Sequence, residues 1–250
     1  MKVSAILFSL LLACQVLPVT MRTAAAQADT TGIARADFAD QFGPERLRTD
    51  YQAAVARLRM LEGKRLAYTY DYVTNVALAL TGANTVKTQS TISYAYDEKG
   101  RARIASSASG LERIVIADPT KQAVYLVCPE RKEILRLKGA ALESRSAPKF
   151  PDKSGAKTEL GEKLIAGVKA SGTRSETTIP AGAQGNEKPL VHTSETWYAP
   201  DLATIVYMQM SMPELGDFVM HVENLKFGDV PASTFALPEG YAIRDIALHE

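Results

Sequence analysis

The residue types that carry most enzyme chemistry are few in this chain, and their spacing keeps them apart. There are three histidines, His192, His221 and His249, and two cysteines, Cys14 and Cys128. His192 and Glu195 form an H-x-x-E pair, but on a strand a three-residue step puts the two side chains on opposite faces, so they cannot close on one metal. His221 and Glu223, two apart in "MHVEN", do share a face and could supply two ligands. Catalytic zinc needs a third protein ligand and an open position, and His249 and Cys128 lie far away in sequence. Gly182 and Gly185 stand in a G-x-x-G spacing within "IPAGAQGNEKP". A phosphate loop leads from a strand into a helix and usually carries Gly-Lys-Ser/Thr. Here Pro189 and an alternating β pattern follow, so the glycines are expected to make a hairpin turn. G-x-S-x-G, H-E-x-x-H and C-x-x-C are all missing from the sequence. The expectation is a non-catalytic protein without metal or cofactor.

The more specific signal is apolar. In "ATIVYMQMSM" one strand face carries Val206, Met208, Met210 and Met212, and in "DFVMHV" the same alternation presents Phe218, Met220 and Val222. Leucine, valine or isoleucine would pack a fixed core with better-defined rotamers, whereas methionine adapts to irregular or changing partners. Two readings stand side by side: a core packed against a helix, or the lining of an adaptable apolar cavity. The candidate lining is Trp197, Val206, Met208, Met210, Phe218 and Met220, with Tyr68, Tyr70 and Tyr72 as an amphipathic rim. Burying a methylene is worth about 0.8 kcal/mol, so hiding a dozen would contribute roughly 10 kcal/mol before losses.

These side chains need a sheet. After "GPERLRTDYQAAVARLRMLEGKR", which the three- and four-residue steps of Leu47, Tyr51, Ala54, Val55, Leu58 and Leu61 make a helix, the period changes to two. Arg46, Arg48, Asp50, Arg57 and Arg59 are assigned to the opposite, solvent face of that helix, and Gly63 to its stop. "RLAYTYDYVTNVALAL", "TVKTQSTISYAY", "RARIASSA", "LERIVIA", "AVYLVC" and "EILRL" read as strands joined by turns at "DEKG", "DPTKQ" and "PERK". Residues 138–157 read as a polar connection. Strands resume in "ELGEKLIAGVKASGTRSETTIP", "PLVHTSETWYA", "ATIVYMQMSM" and "DFVMHVENLKF", followed by a helical turn at "PASTFAL" and a short strand in "YAIRDIAL". The expected architecture is mainly β (α+β): a curved antiparallel sheet or unclosed β-barrel of eight or more strands, with an N-terminal helix packed on it.

The first residues set the compartment. Lys2 followed by an apolar run from Val3 to Ala13 has the form of a signal peptide, too short for a stable bilayer anchor. Ala26 and Ala28 in A-x-A spacing place cleavage after Ala28. Leu11-Leu12-Ala13-Cys14 offers the alternative of a lipoprotein acylated at Cys14. The expected organisation is therefore a leader at 1–28, a loose arm at 29–43 and a single domain at 44–250, located in the periplasm. The chain carries 29 Lys and Arg against 28 Asp and Glu, a balance without the basic stripe that nucleic acid demands. Once the leader is gone Cys128 has no partner for an internal disulfide, so burial alone must hold the core.

Several of these segments resemble a group of uncharacterised exported bacterial proteins, frequent in acidobacteria. The shared features are a D-x-x-G-R turn (Asp97, Gly100, Arg101), a D-P turn followed by a Y-x-L-type strand (Asp118, Pro119, Tyr125, Val127), and G-x-R leading to I-P-A-G (Gly172, Arg174, Ile179, Pro180, Gly182). W-x-x-x-L follows at Trp197 and Leu202, and F-x-x-P-x-x-Y at Phe235, Pro238 and Tyr241. More remotely, a helix with a long antiparallel meander is similar to the lipoprotein carrier and receptor proteins LolA and LolB. That resemblance implies an unclosed barrel whose concave face shelters acyl chains, with an apolar small molecule or a lipidated protein as partner. The arginine by which the carrier closes its cavity has no clear counterpart here. An envelope scaffold or sensor that binds protein by strand addition is the second expectation, and a hydrolase-type enzyme the third.

Overall fold

The computed structural model describes residues 44–61, 67–80, 84–108, 111–142, 157–183 and 185–246. The leader, the arm, Gly63, most of the 138–157 connection and His249 lie outside them. Helix α1 spans Pro44–Met60. The strands are β1 (Tyr68–Leu80), β2 (Asn84–Tyr96), β3 (Ala102–Ala108), β4 (Leu111–Asp118), β5 (Ala123–Cys128), β6 (Glu133–Lys138), β7 (Lys157–Ile165), β8 (Val168–Ile179), β9 (Leu190–Ala199), β10 (Thr204–Met212), β11 (Gly216–Phe227) and β12 (Ala242–Asp245). They form one unclosed sheet in the order β12-β6-β5-β4-β3-β2-β1-β11-β10-β9-β8-β7. Every pairing is antiparallel except that of β12 with β6. The fold is mainly β, a curved open sheet with one helix among the described residues packed on it, as the periodicity predicts.

Turn chemistry explains the meander. Asp118 ends β4 and its carboxylate accepts the amides of Thr120 and Lys121, with Pro119 opening a single 3-10 turn. Pro129 does the same after β5. Both turns close on a left-handed residue, Gln122 and Lys132. Asp97 accepts from the amides of Lys99 and Arg101 and pairs with the Arg101 guanidinium at 2.6 Å. Gly100 in that turn has a φ of +78°, and a Cβ there would come within 2.8 Å of Leu58 on the helix, so only glycine lets α1 sit down at this point. The segment "ELGEKLIAGVKASGTRSETTIP", expected as strand throughout, is divided into β7 and β8 at Ala166 and Gly167. Both have positive φ, the signature of a two-residue type I′ hairpin turn.

The core runs from the tyrosines of β1 and β2 across β8 to β11, and in the sheet's first half it occupies both faces. On the inner face, toward α1, one register row runs Tyr70, Tyr94, Ile104, Val115, Leu126, Leu135 from β1 to β6. On the outer face Ala95, Ile116, Tyr125, Val127 and Ile134 pack under Phe235, Val230, Leu237 and Tyr241 of the segment joining β11 to β12. The F-x-x-P-x-x-Y motif is therefore the cover of the outer face, and the Arg101 guanidinium lies 4.6 Å from the Phe235 ring centre.

The helix departs from expectation on one point. Its buried stripe is Leu47, Asp50, Ala54, Arg57 and Leu61, at alternating steps of three and four, while Tyr51, Val55 and Leu58 are only half-buried. Asp50 and Arg57, assigned from sequence to the solvent face, are inside. The sheet supplies their partners, described next.

Candidate functional site

Between α1 and the inner face lies a narrow cavity of about 50 Å³. The helix contributes Asp50, Ala53 and Ala54; β1 and β2 contribute Tyr70, Tyr72, Tyr94 and Tyr96; β3 contributes Ala102 and Ile104; β10 and β11 contribute Thr204, Ile205, Met208 and Met220. The two helix alanines leave the space that the tyrosines and methionines only partly fill.

The tyrosine wall follows from strand alternation. Residues 70 and 72 on β1 face 94 and 92 on β2, so the rings meet across the pair. Tyr70 and Tyr94 stack with centres 4.9 Å apart and planes 7° from parallel, and Tyr72 meets both edge-on. Tyr68, fully buried, accepts a hydrogen bond from Arg57 Nε at 2.8 Å and donates its own to the Leu202 carbonyl at 2.6 Å. The Arg57 guanidinium also lies 3.8 Å from the centre of the Tyr96 ring, within cation–π range. Burial holds the Tyr68 and Tyr70 hydroxyls well above the ordinary phenol range, so neither loses its proton near neutrality. The polar end of the cavity is Asp50, 3.1 Å from Arg113 on β4 and 3.4 Å from Arg46 one helical turn away. Burial pushes the Asp50 carboxyl up and the Arg113 guanidinium down, each opposed by the partner's charge. The arrangement is a desolvated, hydrogen-bonded frame around an apolar slot.

The six side chains singled out from sequence do not all meet there. Met208 and Met220 are direct cross-strand partners, both buried, and both line the cavity. Met210 and Phe218 form the next pair along, half-buried and beyond the cavity, with Val76 of β1 beside Phe218. Val206 sits where the β9–β10 register slips between Ile205 and Tyr207; it is fully buried and does not line the space. Trp197 pairs with Tyr207 rather than Met208, which places it on the opposite face of the sheet. There its ring lies over Gly172, where a Cβ would approach three indole carbons to 2.7 Å, and Lys163 Nζ caps it at 3.8 Å. Of Tyr68, Tyr70 and Tyr72, expected as a rim, Tyr70 and Tyr72 form part of the wall, while Tyr68 is buried outside the lining, bonded to Arg57 and the Leu202 carbonyl. Asp50, Arg57, Tyr94 and Tyr96 were not singled out. The signal that could have found the first two is the 47, 50, 54, 57, 61 spacing itself, which is a better helical stripe than the purely apolar one.

The two described histidines are paired with carboxylates rather than gathered. His192 contacts Glu214 at 2.6 Å, and His221 contacts Glu223 on its own strand at 2.8 Å. Among the described residues no group of three or more His, Cys, Asp or Glu could hold a metal ion. Gly182 and Gly185 lie in the β8–β9 connection with φ of +81° and +78°. Asn186 braces that loop by donating to the carbonyls of Pro180 and Lys188. It is a turn.

No family model and no curated protein matches the sequence. Among solved structures the chain is similar to an uncharacterized conserved protein from Thermus thermophilus, at 7% identity and a TM-score of 0.44, covering 78% of this chain and 98% of that one. It is also similar to a LolA superfamily protein from Nitrosomonas europaea, at 8% identity and a TM-score of 0.33, covering 74% and 97%. A third is a chain of the MucA/MucB complex of Pseudomonas aeruginosa, at 12% identity and a TM-score of 0.39, covering 79% of this chain and 64% of that one. The likeness is one of fold, and the reading of the site below stands on this chain's own side chains.

Proposed function

We propose that this chain is a non-catalytic binding or carrier protein of the bacterial envelope, taking an apolar ligand on the inner face of its sheet. The observation that carries the reading is the Met208–Met220 pair. It joins the tyrosine-walled slot under α1 to the half-buried stripe of Met210, Phe218 and Val76 outside it. Together these give a continuous apolar track, partly sheltered and partly open. A cavity of about 150 Å³ admits benzene, and the slot holds a third of that. An acyl chain therefore lies along the open stripe and enters the slot only as methionine side chains give way, which their unbranched thioethers permit at low cost. The ligand is a lipid or the lipid of a lipidated partner. Export through the leader, with cleavage after Ala28 or acylation at Cys14, and membership of the exported bacterial group complete the proposal.

Strand addition by a protein partner is the weaker reading. The outer edge of β7 is exposed, but it carries Lys157, Glu159, Glu162 and Lys163 and a bulge between Glu159 and Gly161, devices that keep edges from pairing.

Native mass spectrometry of the purified protein tests the proposal. An acyl species should co-purify, and Met208→Asp with Met210→Asp should lose it. Because that variant also touches the core, Ala53→Leu is the companion. It fills the slot from the helix side, should keep the wild-type circular dichroism, and should reduce uptake. A folded wild-type protein that carries and takes up no apolar ligand overturns the reading.

A further inference from the structure

The apolar stripe on the inner face continues past Met210, Phe218 and Val76. The next residues along the strands are Val86 opposite Leu78 and Met212 opposite Gly216, with Val86, Leu78 and Met212 half-buried. At this end of the sheet β1 hands over to β2, β10 to β11 and β8 to β9, three hairpins side by side. Each carries an open apolar side chain: Leu80 is 38% exposed, Leu215 46% and Val191 40%. The β10–β11 turn is braced. Leu215 donates its amide to the Met212 carbonyl at 2.9 Å, and Glu214 beside it contacts His192 of β9 at 2.6 Å. A Cβ on Gly216 would come within 2.0 Å of the Ala77 carbonyl, so this turn sits directly against the end of β1. The remaining exposed large apolar residues are scattered: Leu160 and Leu164 on β7, Phe227 at the far end of β11 and Ile243 on β12. From Met208 and Met220 the track therefore passes from buried, through half-buried, to open, and its mouth is the hairpin end. Charge there is balanced, Lys87 and Lys188 against Glu187, Glu214 and Asp217, without the basic cluster that recognises anionic lipid heads. A stable protein partner covers a contiguous patch of about 800 Å² on each side, whereas single apolar side chains set on separate hairpins suit a surface that each can enter alone. A bilayer is such a surface. We infer that the hairpin end of the sheet docks on a lipid bilayer, with Leu80 and Leu215 entering its apolar layer, so that an acyl chain passes between membrane and track without crossing water. The transfer role rests on the ligand track proposed above; the docking is read from the hairpins themselves.

The test adds phosphatidylcholine vesicles to the unacylated chain from Asp29 onward, carrying an environment-sensitive dye on one introduced cysteine. Cys128 is buried, so the dye goes to the introduced thiol. Dyes at Leu80→Cys and Leu215→Cys should shift to the blue. A dye at Leu164→Cys, the most exposed large apolar position and at the opposite end of the sheet, should not. Leu80→Asn and Leu215→Asn should each weaken co-sedimentation with vesicles by about tenfold, the scale of burying a leucine side chain, with circular dichroism unchanged. Binding should be equal on phosphatidylcholine and phosphatidylglycerol and insensitive to salt, since no cluster of cations drives it. Unmoved dyes at positions 80 and 215, an equal shift at 164, or binding that requires phosphatidylglycerol and is lost in salt would each overturn the inference. So would a label site at Leu215 that crosslinks to a protein in cells while vesicles stay unbound, which would give these hairpins to a protein partner. A chain that takes up an acyl species in native mass spectrometry but leaves both dyes unmoved would keep the track and lose the docking. Dyes that move on a chain that takes up no ligand would keep the docking and remove the transfer.

Discussion

Asp50 shows how a single residue can be misplaced by its chemistry. A carboxylate on an amphipathic helix reads as solvent-facing, yet Asp50 is 3% exposed, because Arg113, far along the chain, waits under the helix to meet it. Sequence periodicity registers the apolar members of the stripe, Leu47, Ala54 and Leu61. It cannot register a charge whose partner sits on another element. The same holds for Arg57, whose partners are the Tyr68 hydroxyl and the Tyr96 ring. Burying such a pair costs about as much as its attraction returns, but removing one member strands the other. Asp50→Ala is therefore expected to destabilise the protein by about 3–5 kcal/mol in urea unfolding. Asp50→Leu combined with Arg113→Met should recover most of that loss. A double variant as unstable as the single one would mean that the charges themselves, and not the stranded partner, hold the helix down.

At the scale of elements, alternation was legible and register was not. The inward set of Met208, Met220 and the tyrosines follows from counting by two along each strand. Which residues face each other across strands depends on hairpin geometry and on the slip between Ile205 and Tyr207, and that is why Trp197 falls on the other face from the methionines. Such a slip inserts one unpaired residue and leaves no mark in hydrophobicity. The last strand is also set by distant contacts. β12 is held to β6 by Asp245, which pairs with Arg136 at 2.5 Å and Lys138 at 2.8 Å, and by Arg244 with Glu133 at 2.7 Å. Hydrogen bonds from Arg136 and then Lys138 hold the Asp245 carboxyl well below its ordinary 3.8. A depressed carboxyl stabilises the fold above its unfolded value, and the contribution fades as pH falls through 3.8 toward the folded value. Acidification should accordingly loosen β12 first. The amides of Ala242 and Ile246, which donate to the Lys132 and Arg136 carbonyls, should lose hydrogen-exchange protection before those of β5. Asp245→Asn should show the same loosening already at neutral pH. Simultaneous loss in β5 and β12 would remove the ion pairs from the account.

The whole molecule was the most legible level, since a meander of short strands with Asp-Pro turns has few other ways to fold. Its order has a property that the local patterns do not reveal. β1 to β6 form a contiguous block, and both sides of that block are closed by later chain, β11 on β1 and β12 on β6. The segment between those two strands crosses the outer face over Ile116, Tyr125, Val127 and Ile134. The chain is synthesised from the other end. Through most of its emergence the early block has bare margins on both sides and an uncovered apolar back, the state in which sheets stick to one another. Completion waits for the final stretch, so the hazard lasts until the protein is almost fully made. A version ending at Phe227 should therefore be recovered largely as aggregate, whereas one lacking only the residues after Ile246 should sediment as the intact protein does. Equal solubility of the two would show that the early block protects itself.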